Sequence, residues 1–194
     1  MTRLGGWLFR HRTIIPVPLA LAVLLLRVGE RPPDPWLVAG GVALTWIGEG
    51  MRLWAVRHIG AISRTRSERL GPLIAAGPFA IIRNPLYLGN IALWAGFAVA
   101  ARMPWLAAVI VVLLGLEYHA IIRWEEGLLE ARYGDEYRVY AERVPRWLPT
   151  GHRGDRGLKR APVVFTWRET LFSERGTLIA MAIGYLLLWL KARF

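Results

Sequence analysis

The apolar residues of the chain are gathered into five runs, which polar and arginine-rich segments separate. The runs are Ile14–Leu26, Trp36–Ile47, Leu86–Ala101, Trp105–Leu116 and Leu178–Leu190. Each run is shorter than the roughly 20 apolar residues that cross a bilayer, so flanking residues such as Trp7, Trp54 and Trp124 must complete the crossing at the interface. The pattern predicts an all-α protein, an integral membrane bundle of about five transmembrane helices.

The first run has the basic flank of a secretory signal, because Arg10, His11 and Arg12 precede it. No small-residue cleavage site follows Leu26, however, and further apolar runs do. We therefore expect the first run to be a retained helix.

The third and fourth runs are separated only by a tight turn at Met103 and Pro104, so their helices must form an antiparallel hairpin. The open end of this hairpin, opposite the turn, brings Asn84 and Arg123 close together. The fourth helix continues out of the membrane until Gly134 offers a C-cap, and Asp135–Arg143 forms a second short helix. Residues 150–176 are polar and basic, which is typical of a linker before the last helix.

The arginines fall into three segments, before the first run, between the second and third runs, and after the fourth. These arginines are Arg3, Arg10, Arg12, Arg57, Arg64, Arg66, Arg69, Arg83, Arg123, Arg132, Arg138, Arg143 and Arg146. The opposite side receives only the mixed loop from Arg27 to Asp34 and the turn at Arg102. The positive-inside rule makes the arginine-rich side cytoplasmic and places the carboxyl terminus outside, so we expect a protein of the bacterial inner membrane with its active site on the cytoplasmic side.

The composition is typical of a membrane protein and argues against nucleic-acid binding and metal binding. Hydrophobic residues make up 55% of the chain, which includes 10 Trp. The net charge is +11, and the basic residues lie beside apolar runs without the interleaved aromatic residues that stack on nucleic-acid bases. Anionic lipid head groups are therefore a better partner than nucleic acid. The chain has no cysteine, and its four histidines show no ligand spacing, so we expect no metal site.

Polar residues cluster at the start of the third run, in the sequence "RNPLY". Pro85 suits the first turn of a helix, and Asn84 then becomes the predicted N-cap. The exposed backbone N–H groups of such a helix start favour a carboxylate or another anion. An alternative is purely structural, with Arg83 extending to the interface and Tyr87 belonging to the aromatic belt.

Two pairs of charged residues lie near helix ends, one acidic and one of opposite charge. Glu125 and Glu126 require cations or ligand donors there, and Arg123 and Arg143 are the predicted partners. The alternative is an ordinary solvated ion-pair face. Glu49 and Arg52 are one helical turn apart and can form an ion pair.

The sequence "GPFAIIRNPLYLGN" followed by "EEGLLEARYGDEYRVYAERVPRWLP" resembles the signature of the isoprenylcysteine carboxyl methyltransferase family and its phospholipid methyltransferase relatives. The likeness covers roughly residues 70–149. Asn84 stands where these relatives usually carry a histidine, which excludes histidine general-base chemistry at this position. The resemblance implies an enzyme that uses S-adenosyl-L-methionine, without a dinucleotide-binding domain, on a lipid-like or isoprenylated acceptor that enters from the bilayer.

The same resemblance implies a site between the hairpin ends and the helical cytoplasmic segment. The predicted cofactor contacts are Gly77, Arg83, Asn84, Pro85, Tyr87, Trp124, Glu125, Glu126 and Tyr137. The predicted catalytic residues are Tyr87, Arg123 and Arg143. Carboxylates suit the ribose hydroxyls or the amino group of the cofactor, and the helix start with a nearby arginine suits its carboxylate.

The chain then divides into an amino-terminal helix pair with a linker (1–69), a methyltransferase core (70–149), and a basic linker with a last helix (150–194). Carboxyl O-methylation and amine N-methylation of the acceptor both remain open, as does S-methylation. Two other functions also remain open: an NADPH-dependent reductase of the sterol-reductase type, and a non-catalytic membrane assembly protein. No small-xxx-small pattern of the kind that brings membrane helices together stands out beyond Gly41–Thr45 and Gly89–Leu93, each of which contains only one Gly. The oligomeric state therefore stays undecided.

Overall fold

The computed structural model of the chain describes residues 2–60, 73–149 and 164–193, and its regular elements in these ranges are all helical. The α-helices are α1 (Thr2–His11), α2 (Pro16–Leu25), α3 (Pro35–Ile59), α4 (Pro85–Ala100), α5 (Pro104–Tyr133), α6 (Asp135–Arg143) and α7 (Trp167–Lys191). A 3₁₀ turn, Gly77–Ala80, precedes α4. The predicted all-α membrane bundle is confirmed as the fold class.

Each predicted apolar run lies in a helix, and the predicted elements after the fourth run are confirmed. Helix α5 continues to Tyr133, where Gly134 closes it with a φ of 52° that suits glycine. Helix α6 then occupies the predicted residues 135–143. The third and fourth runs form the expected hairpin of α4 and α5.

The last helix begins well before the predicted start at Leu178, so the interpretation of residues 167–176 as linker is wrong. Thr166 and Glu169 form a capping box: Glu169 N donates to Thr166 Oγ1 at 3.3 Å, and Glu169 Oε2 accepts from Thr166 N at 2.8 Å. The capping box starts α7 at Trp167. Residues 150–163 of the predicted linker lie outside the described residues.

Two helices, α5 and α7, are long and apolar enough by themselves to cross a membrane. Helices α1 and α2 meet the same criterion together, although the chain bends by 53° between them. Helix α4, with 16 residues, is shorter than a typical span. The count of five membrane spans therefore stays a prediction, while the helical membrane architecture is clear.

Helices α3 and α4 pack closely because glycines face each other across their antiparallel interface. A Cβ atom on Gly48 would lie 2.6 Å from both Gly89 O and Leu93 N, and one on Gly96 would lie 2.5 Å from Thr45 N. Only a hydrogen in place of a side chain fits at such distances. The two backbones are therefore in direct contact along much of the interface.

Helix α7 packs against α3 and α4 through polar and aromatic contacts. The Tyr185 hydroxyl donates to Thr45 Oγ1 at 2.7 Å, and its ring stacks on Phe97 with centroids 4.5 Å apart. At the start of this helix, Phe165 N donates to Arg57 O at 2.8 Å. These contacts join α7 to residues far earlier in the chain.

One end of the bundle contains the segments that the charge pattern assigned to the outer side. Glu30 forms an ion pair with Arg102 and lies 3.8 Å from Lys191 Nζ, and Arg31 N donates to Arg102 O at 2.9 Å. The structure thus confirms that the first loop, the hairpin turn and the end of α7 share one end. The predicted boundary after residue 69, together with Arg64, Arg66 and Arg69, lies outside the described residues, and the boundary after residue 149 adjoins residues that are also outside them.

Candidate active site

The start of α4 and the later part of α5 meet at the other end of the bundle, as the hairpin predicts. The Tyr87 hydroxyl donates to Glu125 Oε2 at 3.0 Å. The Tyr87 ring also lies against Tyr118, with ring centroids 4.7 Å apart. Residues 38 positions apart in sequence, Tyr87 and Glu125, are therefore in one site.

Glu126 is held by two arginines. Arg146 donates to both carboxylate oxygens, from Nε at 2.9 Å and from Nη2 at 2.6 Å, and Arg83 Nη1 lies 3.0 Å from Oε1. These side chains are only 14–26% exposed, so the charges reinforce one another with little solvent screening. Glu126 thereby connects α5 to the residue before Asn84 and to the segment after α6.

The predicted partners of the glutamates, Arg123 and Arg143, are not the cations that bind Glu126. Both side chains are exposed, Arg123 on α5 and Arg143 at the end of α6. Arg146 belongs to the same quoted motif and lies three residues after Arg143. Arg146 reaches Glu126 because the segment after α6 lies against the start of α4, and the sequence pattern does not reveal this packing.

Asn84 immediately precedes α4, but the prediction that its side chain caps this helix is wrong. Its Nδ2 instead donates to Arg146 O at 3.1 Å, and Arg83 N donates to Pro145 O at 2.9 Å. Pro85 occupies the predicted first turn and is buried. The side chain of Asn84 therefore fastens the segment after α6 instead of closing the start of α4.

Asn84→Ala and Asn84→Asp should both destabilise the protein by about 1 kcal/mol, because neither side chain donates to Arg146 O. Aspartate caps helices as well as asparagine does, so a capping role would let Asn84→Asp retain the parent stability. Thermal unfolding of both variants in detergent separates the two roles. If Asn84→Asp unfolds at the same temperature as the parent protein, the hydrogen bond from Asn84 to Arg146 O does not stabilise the protein.

Helix α6 packs against the 3₁₀ turn and so completes one wall of the site. Tyr140 is buried and its hydroxyl donates to Phe79 O at 2.8 Å. Arg83 Nη1 lies 3.4 Å from the Tyr137 hydroxyl. Burial, with the nearby Glu126 carboxylate, raises the pKa of Tyr137 to about 12, so this hydroxyl stays protonated at neutral pH.

Two predicted cofactor contacts are engaged in packing. Gly77, at a φ of 60°, lies against the His58 ring, and an added Cβ would overlap that ring. Trp124 packs on α1, where its ring centroid is 5.0 Å from that of Phe9. Both residues have these packing contacts, and their role as cofactor contacts stays a prediction.

Glu125 differs from Glu126 because the hydrogen bond that joins it to α4 comes from a tyrosine hydroxyl. Arg12, which follows α1, is a positive group that acts on it electrostatically. Arg12 also acts on Tyr87 and Tyr118. Glu125 and Tyr87 are therefore polar groups that a ligand can engage without breaking the Glu126 ion pairs.

A second buried polar group lies deeper in the bundle, around Arg52. The predicted ion pair is confirmed, with Arg52 Nε 3.2 Å from Glu49 Oε2. The same guanidinium also contacts Asn90 of α4 and Glu174 of α7. We call Glu49, Arg52, Asn90 and Glu174 the Arg52 network.

The sequence predicted only the Glu49–Arg52 pair of this network, because Asn90 and Glu174 lie 38 and 122 residues from Arg52. Thr177 extends it by donating to Glu174 Oε2 at 3.0 Å. Tyr118 hydrogen-bonds the Asn90 side chain, so the network adjoins the Tyr87 ring and Glu125. Polar side chains thus extend from the Glu125 region inward to α7.

Comparison with known proteins gives a consistent result. A model of the phospholipid methyltransferase family matches residues 36–136. The nickel-cobalt-cadmium resistance protein NccN of Alcaligenes xylosoxydans xylosoxydans is 30% identical over 75% of this chain and 68% of its own length. The cobalt-zinc-cadmium resistance protein CzcN of Cupriavidus metallidurans is also 30% identical, over 75% of this chain and 67% of its own length.

An enzyme is among the similar proteins as well. Protein-S-isoprenylcysteine O-methyltransferase B of Arabidopsis thaliana is 28% identical over 59% of this chain and 60% of its own length. No solved structure matches the chain. In residues 2–60, 73–149 and 164–193, no group of three or more His, Asp or Glu side chains could hold a metal ion.

Proposed function

Because the chain belongs to the phospholipid methyltransferase family, we propose that it transfers a methyl group from S-adenosyl-L-methionine to a lipid-like or isoprenylated acceptor. The observation that carries the proposal is the convergence of Tyr87, Glu125 and the Arg83–Glu126–Arg146 ion pairs at one end of a helical membrane bundle. The family match contains the first four of these residues, and Arg146 follows it.

The residues of this site fit the proposed cofactor. Glu125 is a carboxylate that accepts from Tyr87 and has the charge to bind an ammonium group or ribose hydroxyls. The first turn of α4 is not capped by the Asn84 side chain, so its backbone N–H groups suit a carboxylate. When bound, S-adenosyl-L-methionine supplies a methyl group on a positively charged sulfonium.

Tyr87 is the residue best placed to act beside the reacting groups. Its hydroxyl is fixed by Glu125 and its ring by Tyr118, so it presents one face to the space between α4 and α5. An aromatic face attracts a cation such as a sulfonium. The ion pairs of Glu126 keep α6 and the following segment over the site, which helps to exclude water.

An apolar acceptor suits the surroundings of the site. The surface of α5 and α7 carries exposed large apolar side chains, including Leu113, Leu116, Ile179 and Ile183. These side chains favour lipid contact, so an amphiphile can approach from the bilayer while the donor approaches from water. O-, N- and S-methylation all agree with this geometry.

We place the site on the cytoplasmic face of a bacterial inner membrane because, among the described residues, Arg83, Arg123 and Arg146 of the arginine-rich segments lie at this end of the bundle. The chain lacks cysteine, so single cysteines introduced at Arg138 and Pro33 report the two ends separately. Labelling of the position-138 cysteine by an impermeant maleimide from the outside of intact cells would contradict this orientation.

Glu125→Gln should weaken S-adenosyl-L-methionine binding by about 1 to 3 kcal/mol with little loss of stability, because a neutral glutamine can still accept the hydrogen bond from Tyr87. Glu126→Gln should instead lower the free energy of unfolding by a similar amount, since two arginines lose their carboxylate. Calorimetric titration and thermal unfolding on the same samples separate the effects.

Glu130→Gln is the matched control, because Glu130 is on the same helix in an exposed ion pair with Arg138. We expect it to change neither quantity appreciably. Titration with NADPH in parallel tests the reductase alternative. Binding of NADPH and not of S-adenosyl-L-methionine to the parent protein would overturn the proposed function.

A further inference from the structure

We propose that α1 is an interfacial helix that binds the anionic lipid surface beside the candidate site and thereby holds Arg12 over that site. The binding of α1 to lipid stands independently of the reaction. Its effect on ligand affinity rests on the proposed function.

One face of α1 is fixed to the protein. Gly5, Gly6 and Phe9 are buried, and an added Cβ on Gly5 would lie 2.6 Å from Trp124 Cβ and still closer to Ala120 O. Phe9 packs against the Trp124 ring. The two glycines thus let α1 lie directly on the backbone of α5, which fixes the rotation of α1 about its own axis.

The opposite face of α1 combines basic and apolar side chains. Positions three and four apart share a helix face, which groups Arg3, Leu4, Trp7, Arg10 and His11 away from α5. Leu4 is 56% and Trp7 50% exposed, and both arginines are exposed. A face of arginines flanked by leucine and tryptophan is typical of helices that lie in the head-group region of a bilayer.

The direction of α1 agrees with this location. The chain bends by 53° between α1 and α2, so α1 turns away from the direction of the apolar helix that follows. The chain has no acidic residue before Glu30. The positive face of α1 is therefore complementary to anionic head groups, which attract each nearby arginine by an amount that corresponds to about fivefold in affinity.

Arg12 connects this surface to the candidate site. It follows the last residue of α1, and its guanidinium lies 4.1 Å from the ring centroid of Phe9, which packs against Trp124, the neighbour of Glu125 in α5. Movement of α1 away from α5 would remove Phe9 and this positive charge together. Lipid that stabilises the docked α1 should therefore stabilise the site.

The test uses the absence of cysteine from the chain. Leu4→Cys is labelled with an environment-sensitive fluorophore, and the full chain is placed in nanodiscs of phosphatidylcholine alone or mixed with phosphatidylglycerol. We expect blue-shifted emission with phosphatidylglycerol, quenching by head-group spin labels and little quenching by labels at the bilayer centre. Arg3→Gln with Arg10→Gln should remove the response to phosphatidylglycerol. A label at Arg138→Cys, on exposed α6, is the control for solvent exposure.

Equal emission in both lipids, or stronger quenching by labels at the bilayer centre, would overturn the interfacial assignment, the latter by showing that α1 is part of a broken span. In a second measurement, S-adenosyl-L-methionine should bind roughly fivefold more tightly with phosphatidylglycerol, and the double arginine variant should lose this gain. Absence of binding in every sample, with the fluorescence response intact, would reject the proposed function and leave the α1 surface supported. Binding that ignores phosphatidylglycerol while the fluorescence responds would reject the link through Arg12.

Discussion

Arg52→Met should destabilise the protein by about 3 to 5 kcal/mol, the cost of leaving one partner of a buried ion pair without its counter-charge. Glu49 and Glu174 have side chains that are 0% and 3% exposed, and both contact the Arg52 guanidinium. Methionine retains much of the side-chain volume but removes the cation and the donors to Asn90. Chemical unfolding in detergent, followed by tryptophan fluorescence, measures the loss.

Two controls distinguish a charge effect from a packing effect. Arg138→Met removes an arginine that is 60% exposed in its ion pairs on α6, so its cost should stay below about 1 kcal/mol. Replacing the charges together, with Glu49→Gln and Glu174→Gln added to Arg52→Met, should recover part of the lost stability because the two carboxylates that contacted Arg52 are then neutral. An Arg52→Met variant as stable as Arg138→Met would show that the network is not buried as described.

Gly48→Val should lower the free energy of unfolding by about 3 kcal/mol or more, at least as much as an ordinary overpacking substitution. Its Cβ would lie 2.6 Å from Gly89 O and Leu93 N, which are backbone atoms that cannot turn aside. Helices α3 and α4 must separate to admit the side chain, and this separation also weakens the contact of Arg52 with Asn90. The loss should be visible as a lower thermal midpoint in detergent.

Gly50→Val is a closely matched control, because Gly50 is two residues away on the same helix and has no atom within 4 Å of an added Cβ. Both substitutions carry the same intrinsic cost of a β-branched residue in a helix. The difference between their midpoints therefore reports the helix contact alone. Equal midpoints would rule out the close approach of α3 and α4.

The local elements of the fold were predictable because local chemistry decides them. Apolar runs located five of the helices, and Pro85 and Gly134 marked a helix start and a helix end correctly. The early start of α7 was also encoded, since Thr166 and Glu169 form a recognisable capping box. Helix α1 was missed because its apolar residues alternate with arginines and two glycines lower its helix propensity.

The site was only partly predictable because its contacts join distant segments. The sequence brought Tyr87 and Glu125 to the same region, and the structure joins them by a hydrogen bond. It could not choose Arg146 over Arg143 as a partner of Glu126, since that choice depends on how the chain turns after α6. Asn84 before Pro85 looks the same in sequence whether its side chain caps α4 or binds another segment.

The distance along the chain between Arg52 and Glu174 has a consequence for biosynthesis. Helices α3 and α4 are made before α7, and 122 residues separate Arg52 from the Glu174 carboxylate that it contacts. Until the ribosome has released α7 into the membrane, the Arg52 guanidinium lacks the Glu174 carboxylate and Thr45 lacks its bond from Tyr185. The Arg52 network is therefore incomplete while the first six helices are translated, and α7 completes it when it packs against α3.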